Sequence, residues 1–143
     1  MGLIGSFEHK LDLKGRLVIP VCFREELGAR VVVTTINKEC ISLYSERNWE
    51  EVVLARLNRE SEQSTKAAMA QRFIMSNSFK TEIDSAGRIL IPKELRSAAN
   101  IVQDVFVNGN NKKLEIWDSA RWKQFTSDSE ELVSDINTLI PGL

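Results

Sequence analysis

Asp12-Leu13-Lys14-Gly15-Arg16-Leu17-Val18-Ile19-Pro20 returns in altered form as Asp84-Ser85-Ala86-Gly87-Arg88-Ile89-Leu90-Ile91-Pro92, and this recurrence decides how the chain is read. Asp, Gly, Arg, Ile and Pro keep one register in both copies, and branched aliphatics fill the two places before Ile. The agreement continues downstream. Arg24 answers Arg96 and, after one inserted residue, Ile41, Leu43, Tyr44 and Trp49 answer Leu114, Ile116, Trp117 and Trp122. Two copies are too few for a solenoid, whose stacked repeats each need neighbours. The chain therefore reads as two similar halves closing on a shared core.

Within each copy the residue types specify a folded-back loop between two strands. Asp12 can accept hydrogen bonds from backbone N–H groups just ahead of it, and Gly15 can take the positive φ that a tight loop demands. Arg16 then stands at the mouth of a continuously apolar strand, Leu17-Val18-Ile19, which Pro20 ends. Asp84, Gly87 and Arg88 repeat the plan ahead of Ile89-Leu90-Ile91.

Around these loops the pattern predicts alternating strand and helix. Phe7 to Leu11 has the two-residue period of a strand, and Pro20 opens a short helix that Gly28 terminates. Arg30 to Ile36 and Cys40 to Tyr44 are β-rich runs around an Asn37-Lys38-Glu39 turn. Ser45 is placed as an N-cap for an amphipathic helix with Trp49, Val52, Val53 and Leu57 on one face. A helical connector with Ala67, Ala70, Phe73 and Ile74 on one face follows, and it contains neither Gly nor Pro. The second half then offers strands at Phe79 to Ile83, Ile89 to Ile91, Asp104 to Val107 and Leu114 to Trp117, with a short helix from Lys93 to Ala98. Asn108-Gly109-Asn110-Asn111 is its turn. Asp118 is the N-cap of a closing helix carrying Trp122, Phe125, Leu132, Val133 and Ile136. Residues 1–57 form the first unit with its helix, 58–77 the connector, and 78–143 the second unit with its C-terminal helix, all in one domain.

At 143 residues with 43% hydrophobic residues, the chain can build one real core. No run of eighteen apolar residues is present to span a membrane, and Met1–Gly5 lacks the pattern of a secretory leader. Cys22 and Cys40 form no CxxC pair or Cys/His cluster, so no metal site is expected and both read as reduced, partly buried thiols. His9 is the single histidine and reads as a strand residue. With no placed acid or nucleophile beside it, and no Walker-type or dinucleotide glycine motif, no catalytic residue, cofactor or small-molecule substrate is expected. Tyr44, Trp49, Trp117 and Trp122 sit at matched places and read as packing residues. The net charge of −1 argues against a uniformly basic surface, so any nucleic-acid site must be local.

A single Asp-x-x-Gly-Arg could be a loop locked by its own salt bridge. Guanidinium, however, carries five donors in a planar fork that pairs with phosphate or with guanine O6 and N7, and an adjacent Asp can hold it in the aiming rotamer. The doubled signature, with Phe23-Arg24, Glu115-Ile116-Trp117 and Trp122 in order and spacing, resembles the MraZ family from about Ile4 to Phe125.

That resemblance implies an α+β fold, a duplicated swapped-hairpin AbrB-like β-barrel with amphipathic helices after each half. It implies a transcriptional regulator, commonly a repressor, of the division and cell wall gene cluster, associated with the nucleoid in the cytoplasm. Its partners are double-stranded DNA bearing repeated promoter boxes and further copies of itself in a ring-shaped homo-oligomer. The family's DNA-contacting arginines map onto Arg16 and Arg88. Lys14 is the next candidate, whereas Ala86 at the matching place leaves the second loop less basic and the two loops unequal. Asp12, Gly15, Asp84 and Gly87 shape the loops. The competing class is a self-assembling scaffold that binds protein and not DNA, and an AbrB-like antitoxin is a third, though those usually carry one hairpin unit.

Overall fold

The two copies of the repeated stretch lie directly against each other. In the computed structural model, which describes residues 2–143, β2 (Arg16–Val18) and β6 (Arg88–Leu90) form an antiparallel ribbon of their own. Met1, the first residue of the start read above, lies outside the described residues. Arg16 stands opposite Leu90, Leu17 opposite Ile89 and Val18 opposite Arg88. An approximate two-fold axis therefore passes through the Leu17–Ile89 pair.

The six remaining strands form one antiparallel sheet with the same symmetry. Its order is β1 (Ser6–Lys10), β7 (Asp104–Asn110), β8 (Lys113–Asp118), β4 (Ile41–Ser45), β3 (Arg30–Thr34) and β5 (Ser78–Glu82). The first strand of each half pairs with the other half: β1 runs beside β7, and β5 beside β3. Neither half owns a complete sheet. The expected barrel is not closed by hydrogen bonds among the described residues. The short strands β2 and β6 pair only with each other, and β1 and β5 remain the edges of an open sheet.

Between ribbon and sheet lies one apolar core. Leu17, Ile19, Ile89 and Ile91 point in from the ribbon side, against Val33, Leu43, Leu114 and Ile116 of the sheet, all essentially without solvent contact. Burying one such side chain is worth about 1.5–3 kcal/mol, so this layer ties the ribbon to both halves at once. Helices α1 (Val21–Leu27) and α5 (Lys93–Ala98) add Phe23, Leu27 and Leu95. Pro20 and Pro92 sit one place outside these helices, with extended ψ, and so act as the strand-to-helix corner.

A second, smaller core holds the helix after the first half. Ser45 caps it as expected, accepting from Asn48 N–H at 3.1 Å. After α2 (Glu46–Asn48) the backbone widens into a π-helical segment, Trp49–Leu54, before α3 (Ala55–Ser61). The wider i→i+5 turn changes the expected apolar stripe. Trp49 and Val53 stay buried with Val32 and Tyr44, Val52 turns outward, and Leu54 and Leu57 pack at the margin.

Three further expectations need correction. The connector is helical but breaks after Ser61 and resumes as α4 (Thr65–Ser76), capped by Ser64; Phe73, placed on the inner face from sequence, is half exposed beside solvent-facing Met69. Asn108 to Asn110 is not a turn but the end of β7, and the chain reverses at Asn111-Lys112, with Asn111 at φ 62°. Gly109 serves close approach here: a Cβ would lie 2.6 Å from the backbone of Leu3 and Ile4, which cross it. The closing helix is three pieces, α6 (Ser119–Asp128), α7 (Glu130–Ser134) and α8 (Ile136–Leu139), interrupted at Ser129 and Asp135, residue types that compete for helix backbone. Leu132, Val133 and Ile136 are consequently exposed, while Trp122 and Phe125 pack with buried Trp117. Of the two cysteines, Cys22 is exposed, and Cys40 is buried with its thiol pushed up to about 12 by desolvation, then by Glu115.

Candidate nucleic-acid interface

Each loop is built by one carboxylate. Asp12 accepts from the backbone N–H of Lys14 at 2.9 Å and of Arg16 at 2.8 Å through Oδ1, and from Arg16 Nε at 2.7 Å through Oδ2. Asp84 does the same for Ala86 N–H at 2.9 Å, Arg88 N–H at 2.8 Å and Arg88 Nε at 3.0 Å. Backbone bonds from Gly15 N–H to Asp12 O and from Gly87 N–H to Asp84 O tighten each turn. Gly15 and Gly87 take φ values of 81° and 77°, a region closed to most side chains.

The consequence for the arginines is specific. Nε is occupied by the carboxylate, which fixes the rotamer, while the two terminal nitrogens have no partner among the described residues. Both side chains are about one-third exposed, at 33% for Arg16 and 34% for Arg88. Side chains alternate along a strand, so the buried Leu17–Ile89 pair leaves Arg16, Val18, Arg88 and Leu90 on one outward face. Arg16 and Arg88 occupy diagonal corners of that face and the two aliphatics the others. Lys14 is exposed on the first loop, beside Leu13, which is fully exposed. Nothing in the composition marks Leu13 as special, and only its place inside the signature could have drawn attention to it.

Electrostatics keep the aspartates charged. The Arg16 backbone N–H, more than its guanidinium, holds the Asp12 carboxyl below the usual carboxylate range against an opposing desolvation, and Arg88 does the same for Asp84. A depressed native value stabilises the fold above the unfolded value and is lost as pH falls through the native one. The loops should therefore be insensitive to pH from about 8 to 5 and loosen only below about 4. Carboxyl carbon-13 titration should show Asp12 and Asp84 turning at lower pH in the folded chain than in urea, and equal midpoints would contradict it.

The sequence pairs Arg24 with Arg96 and places Arg24 in the family signature, but assigns neither a partner. In the fold Arg24 Nε donates to Ile19 O at 2.8 Å and Arg96 Nε to Ile91 O at 3.1 Å, and their guanidinium groups lie over Gly87 and Gly15 respectively. His9 is half-buried in β1 opposite Val105, three residues before Asp12 and outside the Arg16–Arg88 ribbon. Among the described residues no three His, Cys, Asp or Glu side chains gather as a metal site would require, and no helix is long and apolar enough to cross a membrane.

A duplicated α+β chain that pairs its two halves strand for strand, and shows two locked arginines on one ribbon, belongs among the small double-unit proteins built from one repeated loop. The family described as "MraZ protein, putative antitoxin-like" matches residues 3–73 and again 74–138, so the chain belongs to the MraZ family. Three relatives are each named Transcriptional regulator MraZ. That of Thermoanaerobacter sp. is 36% identical over 134 residues, covering 94% of this chain and 93% of its own. The protein of Alkaliphilus metalliredigens is 39% identical over 126 residues, covering 88% and 87%. The protein of Leuconostoc citreum is 34% identical over 133 residues, covering 93% and 92%.

Proposed function

We propose that this chain is a transcriptional regulator that binds specific double-stranded DNA through Arg16 and Arg88, with Lys14 as an added phosphate contact. The observation that carries the reading is the pair of outward guanidinium groups, each clamped at Nε and open at its other nitrogens, on one face of a two-stranded ribbon. A ribbon of that width fits the major groove, and open guanidinium nitrogens suit guanine O6 and N7 or a phosphate. Exposed Val18, Leu90 and Leu13 beside them suit thymine methyl groups. The exchange of first strands between halves supports reading the two units as swapped-hairpin AbrB-like modules.

One good arginine–base contact discriminates by about 1–3 kcal/mol, too little to find a site in a genome. Several chains in a ring-shaped homo-oligomer, engaging repeated promoter boxes together, would supply the missing selectivity through linkage. The apolar residues left on the surface, Met69 and Phe73 of α4 and Leu132 and Val133 of α7, are consistent with self-association. On this reading the chain acts on the nucleoid, in the cytoplasm, at the promoter of the division and cell wall genes, as a repressor.

The test is a titration of the chain with DNA from upstream of its own gene, carrying one box or several. Binding to repeated boxes should be at least about tenfold tighter than to one, and should weaken steeply with salt. Equal affinity for both would remove the avidity mechanism. No binding to either would leave the scaffold reading.

A further inference from the structure

The two loops are wired to the wrong halves. Ile19, which follows the first loop, donates its N–H to Gly87 O of the second loop at 2.8 Å and accepts Arg24 Nε on its own carbonyl at 2.8 Å. The Arg24 guanidinium returns over Gly87 so closely that a Cβ there would meet its Cζ at 2.2 Å. The mirror circuit runs through Ile91, which donates to Gly15 O at 2.9 Å and accepts Arg96 Nε at 3.1 Å, with Arg96 Cζ 2.8 Å from where a Gly15 Cβ would be. The glycines thus answer two demands at once, a positive φ and a bare face for a planar cation.

We propose that Arg24 and Arg96 are positioning residues that act crosswise: Arg24 of the first half steadies the loop that carries Arg88, and Arg96 of the second half steadies the loop that carries Arg16. The proposal rests on the reading of Arg16 and Arg88 as the DNA-contacting groups, but the wiring itself can be measured without DNA. Both bracing arginines are only partly buried, and each donates through Nε to the carbonyl of the isoleucine five residues before it. The planar fork matters as much as the charge. Guanidinium can lie flat on a glycine while Nε donates sideways, whereas an ammonium is a compact point charge that cannot do both.

Deuterium exchange on the full-length chain, in whatever assembly it forms, reads the wiring directly. Arg24→Ala should raise exchange of the amides of residues 84–88 about tenfold and leave residues 12–16 within about twofold, and Arg96→Ala should give the reverse. Arg24→Lys, which keeps charge and stem, should reproduce the crossed pattern and so guards against failure of the alanine variant to fold. Equal changes in both loops, a change in the same-half loop, or no change would overturn the proposal. The functional link is tested by combination with the loop variants. Arg24→Ala should cost about tenfold in DNA affinity in the native chain and in Arg16→Ala, but under about twofold once Arg88→Ala is present. Additive losses in the Arg88→Ala background would separate Arg24 from that loop. Unchanged DNA binding in Arg16→Ala with Arg88→Ala would instead remove the DNA reading, and the exchange pattern alone would then decide the bracing.

Discussion

Replacing Arg16 and Arg88 together by alanine is expected to lower affinity for promoter DNA at least about thirtyfold, because two contacts of roughly 1–3 kcal/mol each are removed per chain. The fold should survive. Asp12 and Asp84 keep their bonds to backbone N–H groups when the guanidinium is gone, and the turn is held by those bonds and by glycine. Exposed ion pairs add little stability in any case. Melting temperature and assembly size should therefore stay near their original values while binding collapses, and the salt dependence of what binding remains should flatten. The single variants should differ, with Arg16→Ala the more harmful, since Lys14 accompanies Arg16 and Ala86 accompanies Arg88. Binding retained at full strength in the double variant would reduce both arginines to locks on their own loops.

Ile89→Ala should have the largest effect on stability among changes near the ribbon. Ile89 is 1% exposed, stands opposite Leu17 on the pseudo-two-fold axis, and is packed beneath both loops. Truncating a buried isoleucine removes transfer energy and leaves a cavity, at a cost of about 2–5 kcal/mol. For a chain of this length that corresponds to a fall in melting temperature of roughly 10 °C. Since the pair is shared, both loops should loosen together, in contrast to the one-sided effects expected for Arg24 and Arg96. Calorimetry with exchange on the same variant checks both statements, and a loss confined to one loop would argue against a common foundation.

How far the sequence could be read depended on whether the determinants were local. The Asp-x-x-Gly-Arg turns, the proline corners and the Ser45 and Asp118 caps are set by residues within a few positions of one another, and the fold carries each of them. What escaped was set by distant partners. Asn108-Gly109 has the composition of a turn, but the backbone of Leu3 and Ile4 lies across it and holds it extended in β7. The π-helical widening at Trp49–Leu54 moved Val52 out of a stripe that simple helical spacing placed inside. Arg24 and Arg96 are helix residues, as their positions indicate, but the glycines they cover lie in the opposite half. For the candidate site, identity of the arginines was legible from the doubled signature, whereas their meeting on one face required the Leu17–Ile89 register.

The exchange of first strands also constrains the order in which the protein can be made. Ser6 in β1 has its partner at Asn108, so β1 must wait for about a hundred more residues to leave the ribosome. At typical elongation rates that wait is on the order of 5–20 s, during which the strand has an unpaired edge. Nascent chains on one messenger sit close together for all of that time. An early strand from one chain can then meet the later half of its neighbour, so translation spacing itself becomes a factor in whether copies close individually or interlock.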